Sequence, residues 1–254
     1  MKEQKSPLVF TIVIWAIWLV ITLGGGALHA GSEGKPLTEM LNSSIGYALI
    51  AASIFIAAVV AVKSWWRETG MKGPDETRDL RYAILPAILI LIALVGGLSA
   101  GAPASLLWIP FVNTVFVGFS EELAFRGVLL HGLSSKYSLF RAAIIVSVVF
   151  GLVHALNGII TGEYGQAITQ ASINVLSGLW YTGVRIRNKS IFPIMILHIL
   201  WDFSALALTL GAAQSTAEPS LFAAAIPVIV TPILWVYGAW LVWGLRKDEK
   251  ATAA

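Results

Sequence analysis

The 254-residue chain contains no cysteine. Disulfides, thiolate metal sites and cysteine nucleophiles are therefore excluded. Charge is scarce too, with Asp, Glu, Lys and Arg together making up 12% of the residues against 57% that are hydrophobic. A soluble domain cannot be built from that ratio. With a mean hydropathy of +0.80, the sequence reads as an all-α polytopic membrane protein. A net charge of +3 could point to nucleic acid, but the basic residues are distributed as topology signals, so a nucleic-acid partner is not expected. Repeats, low-complexity tracts and a second domain are all lacking, and residues 1–254 read as a single transmembrane domain.

What is present is a series of long apolar runs. Eight have lengths suited to a hydrocarbon core about 30 Å thick: Leu8–Leu28, Ser44–Val62, Tyr82–Ala100, Ala104–Gly127, Ala142–Leu156, Gln166–Ile186, Ile191–Leu210 and Leu221–Leu245. Assigning alternate connections to one side, starting with Lys2 and Lys5, places 16 of the 17 Lys and Arg residues there and only Lys35 opposite. The positive-inside rule then predicts cytoplasmic N- and C-termini and a multi-pass protein of a cell membrane, bacterial or archaeal. A cleaved signal peptide is the competing reading of the first run, but its apolar core of about 20 residues is longer than is usual for one. Gly24-Gly25-Gly26 and Gly96-Gly97 are expected to let helices approach closely.

Against this background the stretch Glu121-Glu122-Leu123-Ala124-Phe125-Arg126 needs a reason. A charge at the bilayer centre costs roughly 2.5–3.5 kcal/mol on insertion scales, which makes each such residue a functional hypothesis. On a helix, Glu122 and Arg126 are four apart with the carboxylate first, the favoured polarity for an ion pair. Glu121 is turned about 100° away and stays free for chemistry. Two of the four histidines also lie inside apolar runs. Phe150 and His154 share a helix face, as do His198 and Asp202. At ~1.5 Å rise per residue, Glu121, His154, His198 and Asp202 all fall roughly 12–18 Å from the cytoplasmic end, in one layer. His29 and His131 are expected to be solvated.

The succession Glu-Glu-x-x-x-Arg, Phe-x-x-x-His and His-x-x-x-Asp, over roughly Ala104–Leu210, resembles the CAAX prenyl endopeptidase and bacteriocin-processing family, intramembrane proteases related to the Ras-converting enzyme. The resemblance implies an eight-span helical fold with a cavity opening toward the cytoplasmic side, and a peptide or membrane-protein substrate. It implies that Glu121 activates water with help from His154, and that His198 and Asp202 hold the oxyanion. Glu122 and Arg126 complete the first motif. The chain departs from the Ras-converting branch at Asp202, where that branch carries Asn. An amide donates a hydrogen bond and an ionised carboxylate cannot. Either Asp202 is protonated, or it orients His198, which then donates.

No cofactor is expected. A zinc set of Glu121, His154 and His198 is the metal-dependent alternative, although the His-Glu-x-x-His signature is absent. Ser120 lacks the glycine-flanked elbow of a serine nucleophile. Two non-hydrolytic readings remain: a membrane adaptor or bacteriocin self-immunity protein on the same fold, and a proton-coupled transporter. A transporter of the repeat type would show inverted repeats or paired broken helices.

Overall fold

With no water in a bilayer core to satisfy backbone N–H and C=O groups, uninterrupted apolar runs of this length close their hydrogen bonds internally as helices. The computed structural model describes residues 7–31, 34–214 and 221–253, and among these it contains helices and no strands. Lys2 and Lys5, used in the charge assignment, lie outside the described residues.

The chain runs through α1 (Pro7–Ala30), α2 (Leu37–Ser43) and α3 (Tyr47–Lys63), then a 3₁₀ turn (Thr77–Leu80) leading into α4 (Arg81–Ser99). Next come α5 (Ala104–Glu122), a π-helical segment (Leu123–Leu129) and α6 (Leu130–Ser134), which together make one continuous rod. The remainder is α7 (Leu139–Ala155), α8 (Asn157–Thr161), α9 (Tyr164–Asn188), α10 (Phe192–Gln214) and α11 (Leu221–Ala253). Among the described residues six helices are long and apolar enough to cross a membrane, and α2 with α3, bent by 87°, would add a seventh path. The sixth run expected from sequence, α9, has the length but not the apolarity. It spends its side chains on buried Ser177, Thr182, Arg185 and Asn188. Many residues on the outside of the bundle are aliphatic (Val20, Val62, Val95 and Val236 among them), as a lipid-facing surface requires.

Two boundaries differ from the sequence reading. The fourth run does not end at Gly127, because the π turns carry the helix on to Ser134. The second run, Ser44–Val62, becomes helical only at Tyr47, after a separate short helix, α2, that meets α3 at a bend of 87°. The sharp bend after it frees backbone groups, and Asn113 of α5 satisfies them. Its Oδ1 accepts from Gly46 N–H at 2.9 Å, and its Nδ2 donates to the Leu41 and Ser44 carbonyls at 2.8 Å each. A fully buried amide thus fastens the bend.

The bundle has two distinct ends. At one, Lys63, Arg81, Lys136, Arg187 and Lys189 lie at or just beyond helix termini. The Ile191 N–H donates to the Gly70 carbonyl there, and Arg187 pairs with Asp248 at 2.7 Å. At the other, His29 bonds Ser44 at 2.8 Å instead of facing solvent, and Asn157 donates to Gln170 at 3.2 Å.

Glycines set the closest approaches. A Cβ at Gly97 would run into the Ser204 carbonyl of α10, one at Gly25 would meet Ala48, and one at Gly24 would meet nothing. Gly97→Val should therefore separate α4 from α10 and lower the thermal unfolding temperature in detergent, a cost of about 1–3 kcal/mol being usual for overpacking. Gly24→Val should leave that temperature unchanged. Equal effects at both positions would show that close helix approach is not what Gly97 provides.

Candidate active site

The site forms where α5 comes against α10. Gly118 makes this possible: a Cβ there would sit 3.2 Å from the Ile199 backbone nitrogen and 3.3 Å from the Met195 carbonyl. One turn further along α5, Glu122 meets His198. Beyond Glu122 the helix loosens into π turns, the Leu130 N–H reaching back to the Phe125 carbonyl, and all seven residues of the segment are buried. Single π turns occur frequently at functional sites.

Glu122 and Arg126 form the expected ion pair, with Nη1 to Oε1 at 3.1 Å and neither side chain exposed. Arg126 has further partners. Its Nε lies 3.4 Å from Thr182 Oγ1, its guanidinium sits 3.9 Å from the Phe150 ring centre, and the Tyr181 ring is 5.1 Å away. Aromatic faces on both sides supply attraction that water would otherwise provide.

Glu122 does more than neutralise Arg126. Its Oε1 also accepts from His198 Nδ1 at 2.7 Å. The other ring nitrogen, Nε2, faces Asp202 Oδ2 at 3.3 Å and Glu121 Oε2 at 3.9 Å. Carboxylate oxygens accept, so both ring nitrogens of His198 have an acceptor to donate to. Tyr181 tilts against the imidazole with ring centres 4.9 Å apart, which fixes its plane. Glu121 points away from the ion pair, and its Oε2 makes no protein hydrogen bond.

His154 stands apart from this network. Its Nδ1 donates to the Phe150 carbonyl at 2.7 Å, which leaves Nε2 as the free ring nitrogen. An apolar cavity of about 280 Å³ brings it back to the others, since Glu121, His154, His198 and Asp202 all line it. The four chemical positions picked out from sequence therefore share one chamber, and Glu122 and Arg126 lie behind its wall. Among the described residues, no group of three His, Cys, Asp or Glu side chains is arranged to hold a metal ion.

The lining of the cavity continues through His29, Leu41, Asn157 and Thr161 to the end formed by α2 and α8, and includes no Lys or Arg; that is the end opposite the basic helix termini. Sequence reasoning missed Tyr181, Thr182 and Asn113. None carries a charge at neutral pH, so none stands out within an apolar run.

Residues 103–204 match the family model described as type II CAAX prenyl endopeptidase, Rce1-like. The matched stretch spans α5 to the middle of α10 and contains every residue of the network just described. Together with the apolar helices, the match marks a multi-pass membrane protein. No curated protein matches the chain.

The geometry gives Glu122 a structural duty. Glu122→Gln would strand Arg126 at a fully buried position, and breaking a buried pair by removing one partner costs about 3–5 kcal/mol. The variant should unfold well below the wild-type temperature in detergent. An unchanged unfolding temperature would mean that the pair does not support the fold.

Proposed function

We propose that the protein is an intramembrane glutamic endopeptidase that hydrolyses a peptide bond with water activated by Glu121, without a metal. The observation that carries this reading is the contrast between the two adjacent glutamates. Glu122 is committed through Oε1 to Arg126 and His198 and lies outside the cavity, while Glu121 lines the cavity and its Oε2 has no protein hydrogen-bond partner. The base is uncommitted and the donor opposite it is held in place.

In this mechanism a water beside Glu121 loses a proton to the carboxylate as its oxygen attacks the substrate carbonyl carbon. Negative charge develops on the carbonyl oxygen, and His198 Nε2–H donates to it. Asp202 and Glu122 aim the ring, one from each nitrogen. Glu121 then returns its proton to the departing amine as the C–N bond breaks. The free Nε2 of His154 is placed to accept a hydrogen bond from the same water. The reading is completed by eight membrane crossings, made of the six apolar helices, the bent pair α2–α3, and α9. Both termini lie in the cytoplasm.

Glu121→Gln keeps the shape of the side chain and removes the base. Turnover should fall by about 10²–10⁴-fold, the usual contribution of a general base, while the unfolding temperature stays near that of wild type. Exhaustive chelation of the wild-type protein should leave turnover intact. Wild-type turnover by purified Glu121→Gln would instead favour a non-catalytic adaptor or immunity role, and activity restored to chelated protein by zinc would favour a metal mechanism.

Asp202 separates orientation from donation. Asp202→Asn loses the carboxylate but keeps a polar group that can hold His198 or donate directly, so partial activity is expected. Asp202→Ala should lose more, although Glu122 still holds Nδ1 and prevents complete disorder of the ring. Measured kcat/KM values that vanish equally in both variants would make the carboxylate itself indispensable.

A further inference from the structure

We propose that a groove at the basic end of the bundle holds one phospholipid headgroup of the phosphoethanolamine kind, in which a phosphodiester and a primary ammonium lie a few bonds apart. The groove encloses about 770 Å³ and is walled by the first residues of α4 and α7 and the last turns of α9 and α11. None of its lining residues lines the chamber. A ligand here is therefore separate from the chemistry at Glu121.

The lining carries charges of both signs, Arg78, Arg81, Arg187 and Lys189 against Asp79, Asp248 and Glu249. Four of these are already answered. Arg187 pairs with Asp248 at 2.7 Å, while Lys189 and Arg78 turn to Asp75 and Glu76, outside the groove, at 3.4 and 2.6 Å. Arg81, Asp79 and Glu249 form no ion pair among the described residues. One cation and two carboxylates thus stay open in a single groove. A purely anionic headgroup would meet the carboxylates, and a purely cationic ligand would meet Arg81. A zwitterion complements both signs.

The open groups are held in place. Arg81 lies over the Tyr82 ring at 4.9 Å and donates to its hydroxyl at 3.0 Å, and the Tyr82 carbonyl accepts from Tyr237 of α11 at 2.9 Å. The other guanidinium N–H groups suit the paired oxygens of a phosphate. Glu249 Oε1 accepts from the Phe140 N–H at 2.9 Å, which leaves Oε2 to accept from an ammonium. The apolar part of the wall favours a lipid over a soluble phosphate. Ile186, Leu245 and the exposed Leu139 lie beside the charges, where glycerol and the first methylenes would rest. On α11 the exposed Trp243 carries Arg246 at 4.8 Å from its ring centre, the aromatic and basic company found at a membrane surface. Basic pockets between membrane helices are known to take lipid headgroups. Choline has no N–H for Glu249 and a glycerol headgroup has no cation, so the carboxylates select the ammonium.

Native mass spectrometry of the purified full-length protein, titrated with phosphatidylethanolamine, phosphatidylcholine and phosphatidylglycerol of the same acyl chains, tests this. Wild type should bind phosphatidylethanolamine up to about fivefold more tightly than either of the others, the scale of one exposed ion pair. Glu249→Gln keeps an oxygen for the Phe140 N–H and loses the charge, so phosphatidylethanolamine should fall to the phosphatidylcholine level while phosphatidylcholine binding is unchanged. Arg81→Gln should weaken both by up to about fivefold and keep their ratio. Lys136→Gln, at the same end but outside the groove, should match wild type. Equal binding of phosphatidylethanolamine and phosphatidylcholine by wild type overturns the proposal even if a variant is not recovered. Tighter binding of phosphatidylglycerol, or a loss in Lys136→Gln equal to that in Arg81→Gln, overturns it as well. Free phosphoethanolamine binding as tightly as the lipid would make the groove a site for a soluble ligand and overturn the lipid assignment.

Discussion

The buried pair of Glu122 and Arg126 is the constraint from which the rest of the site follows. Two charges removed from water are costly, and their mutual attraction repays this only with good geometry and further hydrogen bonds. Here further contacts come from other helices, while Glu122 Oε2 and Arg126 Nη2 have no protein hydrogen-bond partner. Arg126 reaches Thr182 on α9 and lies against Phe150 of α7, while Glu122 reaches His198 of α10. The pair is made within one continuous helix, but its further partners are in place only when α5, α7, α9 and α10 meet in one register, so it ties the assembly together as well as neutralising itself. It also releases Glu121 from any structural duty, although the two glutamates are neighbours in the chain.

The small residues that let the helices meet are placed to serve that convergence. Gly118 lets α5 touch the backbone of α10 a turn before Glu122, and a Cβ at Gly151 of α7 would collide with backbone atoms of α9 at Ala171 and Val175. Aromatic rings then fill the centre. Trp18, Phe125 and Phe150 stack edge to face at 5.4 and 5.1 Å, and Phe150 meets His154 at 4.7 Å. Such rings are rigid and bulky, with quadrupoles that favour this geometry. They form a wall that holds its shape while leaving the chamber beside it open.

Much of this was legible in the sequence, for a simple reason. Where charge is expensive, each ionisable residue carries information, and helical spacing then says which of them share a face. Glu122–Arg126, Phe150–His154 and His198–Asp202 all emerged as partners by that logic. The bridge from Glu122 to His198 was not legible, because it depends on how closely α5 approaches α10, and that distance is set by one glycine. Tyr181 was hidden because it is neutral. The π segment was hidden because nothing in Leu-Ala-Phe-Arg-Gly-Val-Leu departs from helical composition. The bend before α3 is visible only as a buried amide, Asn113, whose partners are three backbone groups far away in the chain.

The direction of the cavity follows from how the opposite end is closed. Below His198 the seven buried residues of the π segment and the ion pair fill the cross-section. Under them the loop between α3 and α4 folds across the basic end. Gly70 takes a φ of +77°, which lets the Arg185 guanidinium lie against its backbone, and Arg185 donates to the Glu68 carbonyl at 3.2 Å. A side chain at Gly70 would force that guanidinium aside. The floor is therefore sealed by charge and backbone together, whereas the other end is spanned only by the short helices α2 and α8. The same scarcity of charge that makes the chain a membrane protein thus works twice. It gathers the basic residues at the sealed end, and it leaves the far part of the chamber's lining, at His29, Asn157, Thr161 and Gln170, without Lys or Arg.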